Sequence, residues 1–167
     1  MMYQATVPVL GHFIKGLSAI LKKSEAHCAA KKIEPEALLK ARLFPDMFHF
    51  TRQVQLVTDF AKGPASRLAG VAVPSFADDE TTFDALQARL QKTIDYLATL
   101  KPEQFADALT RTITIKVSGN DMSFPGGEYF MSYALPNFHF HLTTAYNILR
   151  HNGVELGKGD FMGRGVR

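Results

Sequence analysis

From Leu10 onward the large apolar residues fall at positions 10, 13, 14, 17, 20 and 21, while Lys15, Ser18, Lys22, Lys23 and Glu25 occupy places between and just after them. Steps of three and four put the first set on one face of a helix and turn the second set away from it. A chain that begins with such a stripe must cover it with further elements of matching period. The spacing predicts a first helix over about residues 6–30.

Later segments supply the cover. A short helical piece from Glu36 to Arg42 leads to Pro45, which suits the first position of a new helix because its missing N–H is not needed there. The second long helix is therefore expected from Pro45 to Ala61, ending before Gly63 and Pro64, with a seam of Met47, Phe50, Val54 and Val57 widened by Leu56 and Phe60. Residues Gly63 to Ala77, with Gly63, Pro64, Gly70 and Pro74, read as a crossover loop. Ser75 and Asp78 form a weak capping box, and Phe83, Leu86, Leu90, Ile94 and Leu97 make the stripe of a third helix that Pro102 closes.

Between Thr110 and Val117 the period changes to two, with Ile113, Ile115 and Val117 opposite Thr112, Thr114 and Lys116, and Ser118-Gly119-Asn120-Asp121 follows. That is the pattern of a small β-hairpin. Pro125-Gly126-Gly127 then leads into a fourth helix over about Glu128 to His151, ended by Asn152 and Gly153. Four long amphipathic segments with a long second connection predict an all-α four-helix bundle forming one domain across the chain, with a hairpin before the last helix. An orthogonal packing of the same helices is the alternative.

The 167 residues are 46% hydrophobic and 21% charged, enough to bury a core without covalent staples and to be ordered nearly throughout. Cys28 stands alone, so neither an internal disulfide nor a cysteine zinc site is available, and a reducing cytoplasm is the expected compartment. His12, Lys15 and Ser18 interrupt the first apolar stretch, so neither a signal peptide nor a membrane span is expected there. The net charge of +3 comes from scattered pairs such as Lys22-Lys23 and Lys31-Lys32, so nucleic acid is not an expected partner.

The chemistry-bearing residues cluster on two helices. His141 lies in line with Phe130, Ala134, Ala145 and Ile148, so its imidazole is expected to point inward, with Asn137 one turn earlier and His139 turned away. On the second helix Asp46, His49 and Gln53, at spacings of three and four, could form a polar strip opposite His141. Pro136 should kink the fourth helix beside Asn137. A metal would need a third donor besides His141 and Asn137, and an amide oxygen is a weak ligand for a transition metal. His27 and Cys28 are adjacent on a helix and diverge by about 100°, which does not suit a Cys-His nucleophile. The glycine-rich tail from Gly157 to Gly165 lacks the strand and helix of a phosphate loop and is expected to pack on the bundle.

The run from Ala134 to Gly153, with Pro45-Asp46-Met47 and Arg67-Leu68-Ala69-Gly70, resembles an uncharacterised bacterial family of unknown function within the DinB/YfiT-like superfamily, whose members are regarded as metalloenzymes. The resemblance implies a four-helix bundle, often dimeric, whose metal is held by one His of the second helix and an HxxxH pair of the fourth. The last ligand of that pair is commonly followed by Arg and Gly, as His141 is here by Arg150 and Gly153. The remaining two ligand positions then fall on Asn137 and Gln53, with His49 one turn before the latter. The expectation is a metal-free polar pocket for a small molecule around His141, lined by Asn137, Gln53, His49 and Asp46, in a homodimeric protein. The alternative keeps zinc or nickel on His141, Asn137 and His49 in a hydrolase or transferase.

Overall fold

A computed structural model describes residues 1–165. The first stripe forms α1 (Met2–Lys31), which begins four residues earlier than the spacing indicates and carries Pro8 inside it. Leu10, Ile14, Leu17 and Leu21 are buried along it, and Lys32 leaves the helix in the left-handed region at φ 56°. A five-residue α2 (Pro35–Leu39) follows, with proline at its start.

The second long helix, α3 (Phe50–Ala69), differs from the expectation at both ends. Pro45 does not start it: Asp46 lies exposed in a turn, and the helix begins after His49, whose extended backbone and ring nitrogen cap the first turn. The Phe50 N–H donates to Ala41 O at 2.9 Å and the Thr51 hydroxyl to Leu39 O at 3.0 Å, tying the helix start to α2 and the turn after it. Nor do Gly63 and Pro64 end it. The buried series Val54, Val57, Ala61, Ala65 and Leu68 continues unbroken through them, and packing of that face outweighs the one backbone hydrogen bond that Pro64 removes. Gly70, at φ 71°, ends the helix, and Val71 N–H closes the cap on Ser66 O at 3.0 Å.

The crossover therefore occupies residues 70–82, and Ser75 caps nothing. Thr82 is the cap of α4 (Phe83–Thr99), its hydroxyl accepting from Ala85 N–H at 3.1 Å. A short 3-10 turn at Pro102–Phe105 leads to β1 (Thr112–Val117) and β2 (Asn120–Pro125), paired antiparallel from Thr112 opposite Pro125 to Val117 opposite Asn120. Both residues of the turn, Ser118 and Gly119, have positive φ (50° and 86°), the geometry that matches the twist of a two-residue hairpin.

The last long helix has three parts: α5 (Gly126–Glu128), a π turn at Tyr129–Ala134, and α6 (Leu135–His151). The break expected at Pro136 thus takes the form of a wider winding just before it. Pro136 itself sits in the first turn of α6. Gly153, at φ 88°, follows the helix, and α7 (Lys158–Phe161) folds back onto α1 through Lys23 Nζ to Asp160 at 2.7 Å.

The fold is mainly helical with one two-stranded antiparallel sheet. Helix α1 packs on α4, and α3 packs on both α4 and α6. One contiguous apolar cluster joins them, including Leu10 and Ile14 on α1, Val57 and Leu68 on α3, Leu86 and Leu90 on α4, and Phe138, Leu142 and Ile148 on α6. Among the described residues no helix is long and apolar enough to cross a membrane.

Candidate functional site

The inward face of α6 carries Phe138, Leu142, Ala145 and, among them, His141 with 8% of its surface exposed. Across from it on α3, Gln53 is 1% exposed. His141 Nδ1 and Gln53 Oε1 are 2.8 Å apart. The Gln53 amide nitrogen donates to Phe48 O at 3.2 Å, which leaves its oxygen to face the imidazole. Nδ1 therefore carries the proton and donates, and Nε2 holds the lone pair. No buried side-chain nitrogen or oxygen among the described residues lacks a partner, and no protein hydrogen bond falls on Nε2, so solvent reaches that atom.

Phe60 stacks on the His141 ring at 5.5 Å between centroids and 22° between planes, and Phe140 meets it edge-on at 5.3 Å. Burial in this aromatic setting, helped by the positive charge of Arg52, pushes the His141 pKa down from 6.5 to about 4. The imidazole is neutral at pH 7.

The other residues of the expected polar strip go elsewhere. Asn137 turns back along its own helix, donating to Tyr133 O at 2.7 Å. His49 Nδ1 accepts from Arg52 N–H at 3.2 Å as the cap of α3, and burial followed by the charges of Arg42, Arg52 and Lys40 lowers its pKa. Asp46 is exposed in the turn before the helix. The structure thus joins His141 to Gln53 and leaves Asn137, His49 and Asp46 outside that contact. His139 packs its half-buried ring against Phe13 of α1 at 5.0 Å. Cys28 is buried, and burial, then Glu25, raises its pKa, the opposite of an activated thiol.

Two cavities flank the pair, and His141 lines neither. The larger, about 1020 Å³, lies between α2, the start of α3 and the crossover, with His49, Arg52, Lys40, Asp78 and Glu80 in its wall. The smaller, about 410 Å³, lies between α3, β1 and the π turn and is lined by Phe60, Arg67, Ile115, Lys116, Tyr129 and Tyr133. Phe60, in the wall of this cavity, also stacks on His141.

A buried cation, marked by no motif in the sequence, lies on α4. Arg89 on α4 is 3% exposed, and its Nε donates to the Thr58 hydroxyl at 2.7 Å. Its other nitrogens meet Ala77 O at 2.6 Å, Glu80 at 3.0 Å, Asp78 at 3.0 Å and Asp59 at 3.1 Å. Arg52 holds the far oxygen of Asp78 at 2.6 Å, and Lys62 holds Asp59 at 3.0 Å. Three cations and three carboxylates fasten the crossover to α3 and α4. The available signal was position 89 itself, which falls three after Leu86 and one before Leu90 and so lies on the buried side of the stripe.

The chain matches the family described as Domain of unknown function (DUF1993) over residues 2–162. It belongs to DUF1993. The DUF1993 chain is also similar, at 40% identity and a TM-score of 0.89, to the crystal structure of a DinB family member protein from Shewanella denitrificans, over 97% of this chain and 92% of that one. No curated protein matches it.

A metal of the kind the DinB-like resemblance implies does not fit the donors present. Among the described residues no group of three or more His, Cys, Asp or Glu side chains is placed to hold a metal ion. Around His141 this DUF1993 member places an amide and two phenyl rings, and zinc or nickel sites call for nitrogen, sulfur or carboxylate donors.

Proposed function

We propose that this DUF1993 member is a single-domain, DinB-like four-helix bundle whose ancestral metal position has become a neutral His–Gln clasp, and that it binds a small polar molecule without a metal. The observation that carries the reading is the 2.8 Å contact between His141 Nδ1 and Gln53 Oε1. It supports the reading because an amide then takes the part of the second-helix imidazole that the resemblance implies, and His141 has a partner that links α3 to α6.

Elemental analysis of the purified protein tests this. Less than about one zinc or nickel per ten chains is expected, since a site with one imidazole lacks the three or four donors of a tight site. Stoichiometric metal that disappears in His141→Ala overturns the reading. The paired change Gln53→His with Asn137→His should have the opposite outcome, supplying three imidazoles and producing measurable zinc uptake by calorimetry.

One observation favours a second reading, a divalent-metal hydrolase or transferase. A ligating histidine characteristically donates its other ring N–H to a fixed partner, and His141 does so to Gln53 while Nε2 stays open. That reading requires Asn137 to release Tyr133 O and His49 to release the cap of α3. The same elemental analysis decides between the two.

We extend the proposal to a cytoplasmic homodimer. Phe44, Phe48, Met131 and Phe140 are large apolar side chains with more than half of their surface in water. Light scattering after size exclusion should give twice the 18.5 kDa chain mass. A mass of one chain at working concentration removes this part.

A further inference from the structure

The 410 Å³ cavity behind Phe60 holds a cation without a counter-charge. Arg67, on the last turns of α3, makes no ion pair among the described residues, whereas Arg52, Lys62 and Arg89 on the neighbouring surface each have a carboxylate. Its one side-chain hydrogen bond runs from Nη1 to the Tyr129 hydroxyl at 3.4 Å. A guanidinium has five N–H donors in a planar fork, so most of its donors remain unused by protein. Gly63 makes this placement possible. A Cβ there would lie 2.8 Å from Arg67 Nη1, so any side chain at 63 would drive the guanidinium off its path.

The walls divide by chemistry. Tyr129 is 1% exposed, and burial raises its pKa, so the hydroxyl that accepts from Arg67 keeps its own proton to donate. Tyr133 stacks on Tyr129 at 5.9 Å and 22°, lies 6.3 Å from Phe124, and is 6.1 Å from Phe60. These rings offer a flat apolar surface beside the cationic end. The charges in the lining are Lys62, Arg67, Lys116 and Asp59, and Asp59 is already held by Lys62 and Arg89. The cavity is therefore electropositive, and its volume lies within the roughly 300–1,000 Å³ of small-ligand sites.

We infer that this cavity binds a small organic anion, its carboxylate or phosphate head held by the Arg67 fork and the Tyr129 hydroxyl and its ring-sized apolar body laid against Tyr133 and Phe60. The inference deepens the small-molecule part of the reading above and rests on it, with no dependence on what His141 holds.

Benzoate, phenyl phosphate and neutral benzamide are the probes, titrated into the full chain and followed by amide NMR shifts and by tyrosine emission, which no tryptophan obscures in this sequence. Benzoate or phenyl phosphate should bind with shifts centred on Arg67, Tyr129 and Tyr133, and whichever is tighter names the head group. Arg67→Met should weaken that binding about tenfold or more, Arg67→Lys should fall between, and Tyr129→Phe should cost a few-fold, as expected when charge-assisted hydrogen bonds are lost. Circular dichroism of each variant separates lost binding from lost fold, and the lysine variant keeps the test open should the methionine variant unfold. Equal affinity for benzamide, or an Arg67→Met protein that folds and binds unchanged, overturns the assignment. Shifts centred instead on His49 and Thr81 overturn it while leaving small-molecule binding standing in the larger cavity. Absence of binding by both anions overturns it as well, and the elemental analysis still judges the metal-free reading separately.

Discussion

Arg89→Met is expected to destabilise the protein by about 3–5 kcal/mol, because it removes the central cation of the network and leaves Asp59, Asp78 and Glu80 facing one another. Methionine fills a similar volume, so the loss is electrostatic and not a cavity effect. Urea unfolding followed by circular dichroism reads the change directly. The thermal midpoint should fall by about 10 °C or more at this chain length. Arg52→Met is the control: its pair with Asp78 is about one-third exposed, and exposed pairs contribute about 0–1 kcal/mol. If the two variants lose equal stability, Arg89 is not the centre of the network.

The second large effect follows from the neutral state of His141. Its pKa is near 6.5 in an unfolded chain and about 4 in the fold, so between those values the unfolded chain binds the additional proton. The stability this residue contributes is present in full above pH 6.5. It declines as the pH falls through the window and is lost below about 4, for a total of about 1–3 kcal/mol with solvent screening at the open side of the ring. Carboxylates and the depressed His49 and His139 add slopes in acid, so the difference between wild type and His141→Gln is the quantity to measure. Glutamine keeps a donor for Gln53 and does not titrate. Stability curves for the two proteins that run parallel from about pH 7 to 4.5 would refute a buried neutral imidazole.

Periodicity made much of the fold legible. The stripe from Leu10 to Leu21 places α1, the alternation from Thr112 to Val117 places the hairpin, and the phase of His141 among Ala145 and Ile148 sends that ring inward. Sequence signal and structure part where local chemistry and tertiary packing disagree. Gly63 and Pro64 are strong stop signals in isolation, yet a buried small-residue face with Ala61 and Ala65 carries α3 past them. Pro45 is a good first residue of a helix, but His49 caps this one with a ring nitrogen, a role that residue type rarely signals.

At the candidate site the sequence marked Gln53 and His141 as facing residues, because both lie on inward faces. Whether Asn137 and His49 join them depends on hydrogen bonds to Tyr133 O and Arg52 N–H, and no spacing rule encodes those choices. Arg67 and Tyr129 were invisible as a pair. They lie 62 positions apart, and helical counting back from His141 with about 100° per residue sends Tyr129 roughly 120° away from its direction.

The π winding at Tyr129–Ala134, which takes one residue more per hydrogen-bonded ring than an α turn, alters that phase. It acts as a phase shifter between two stretches of one rod. Removing a single residue inside it would rotate everything upstream by about 100° and carry Tyr129 off Arg67, while leaving the downstream register of His141 against Gln53 intact. Length variation confined to these six positions would let evolution exchange the lining of the cavity without disturbing the joint that holds the two helices together.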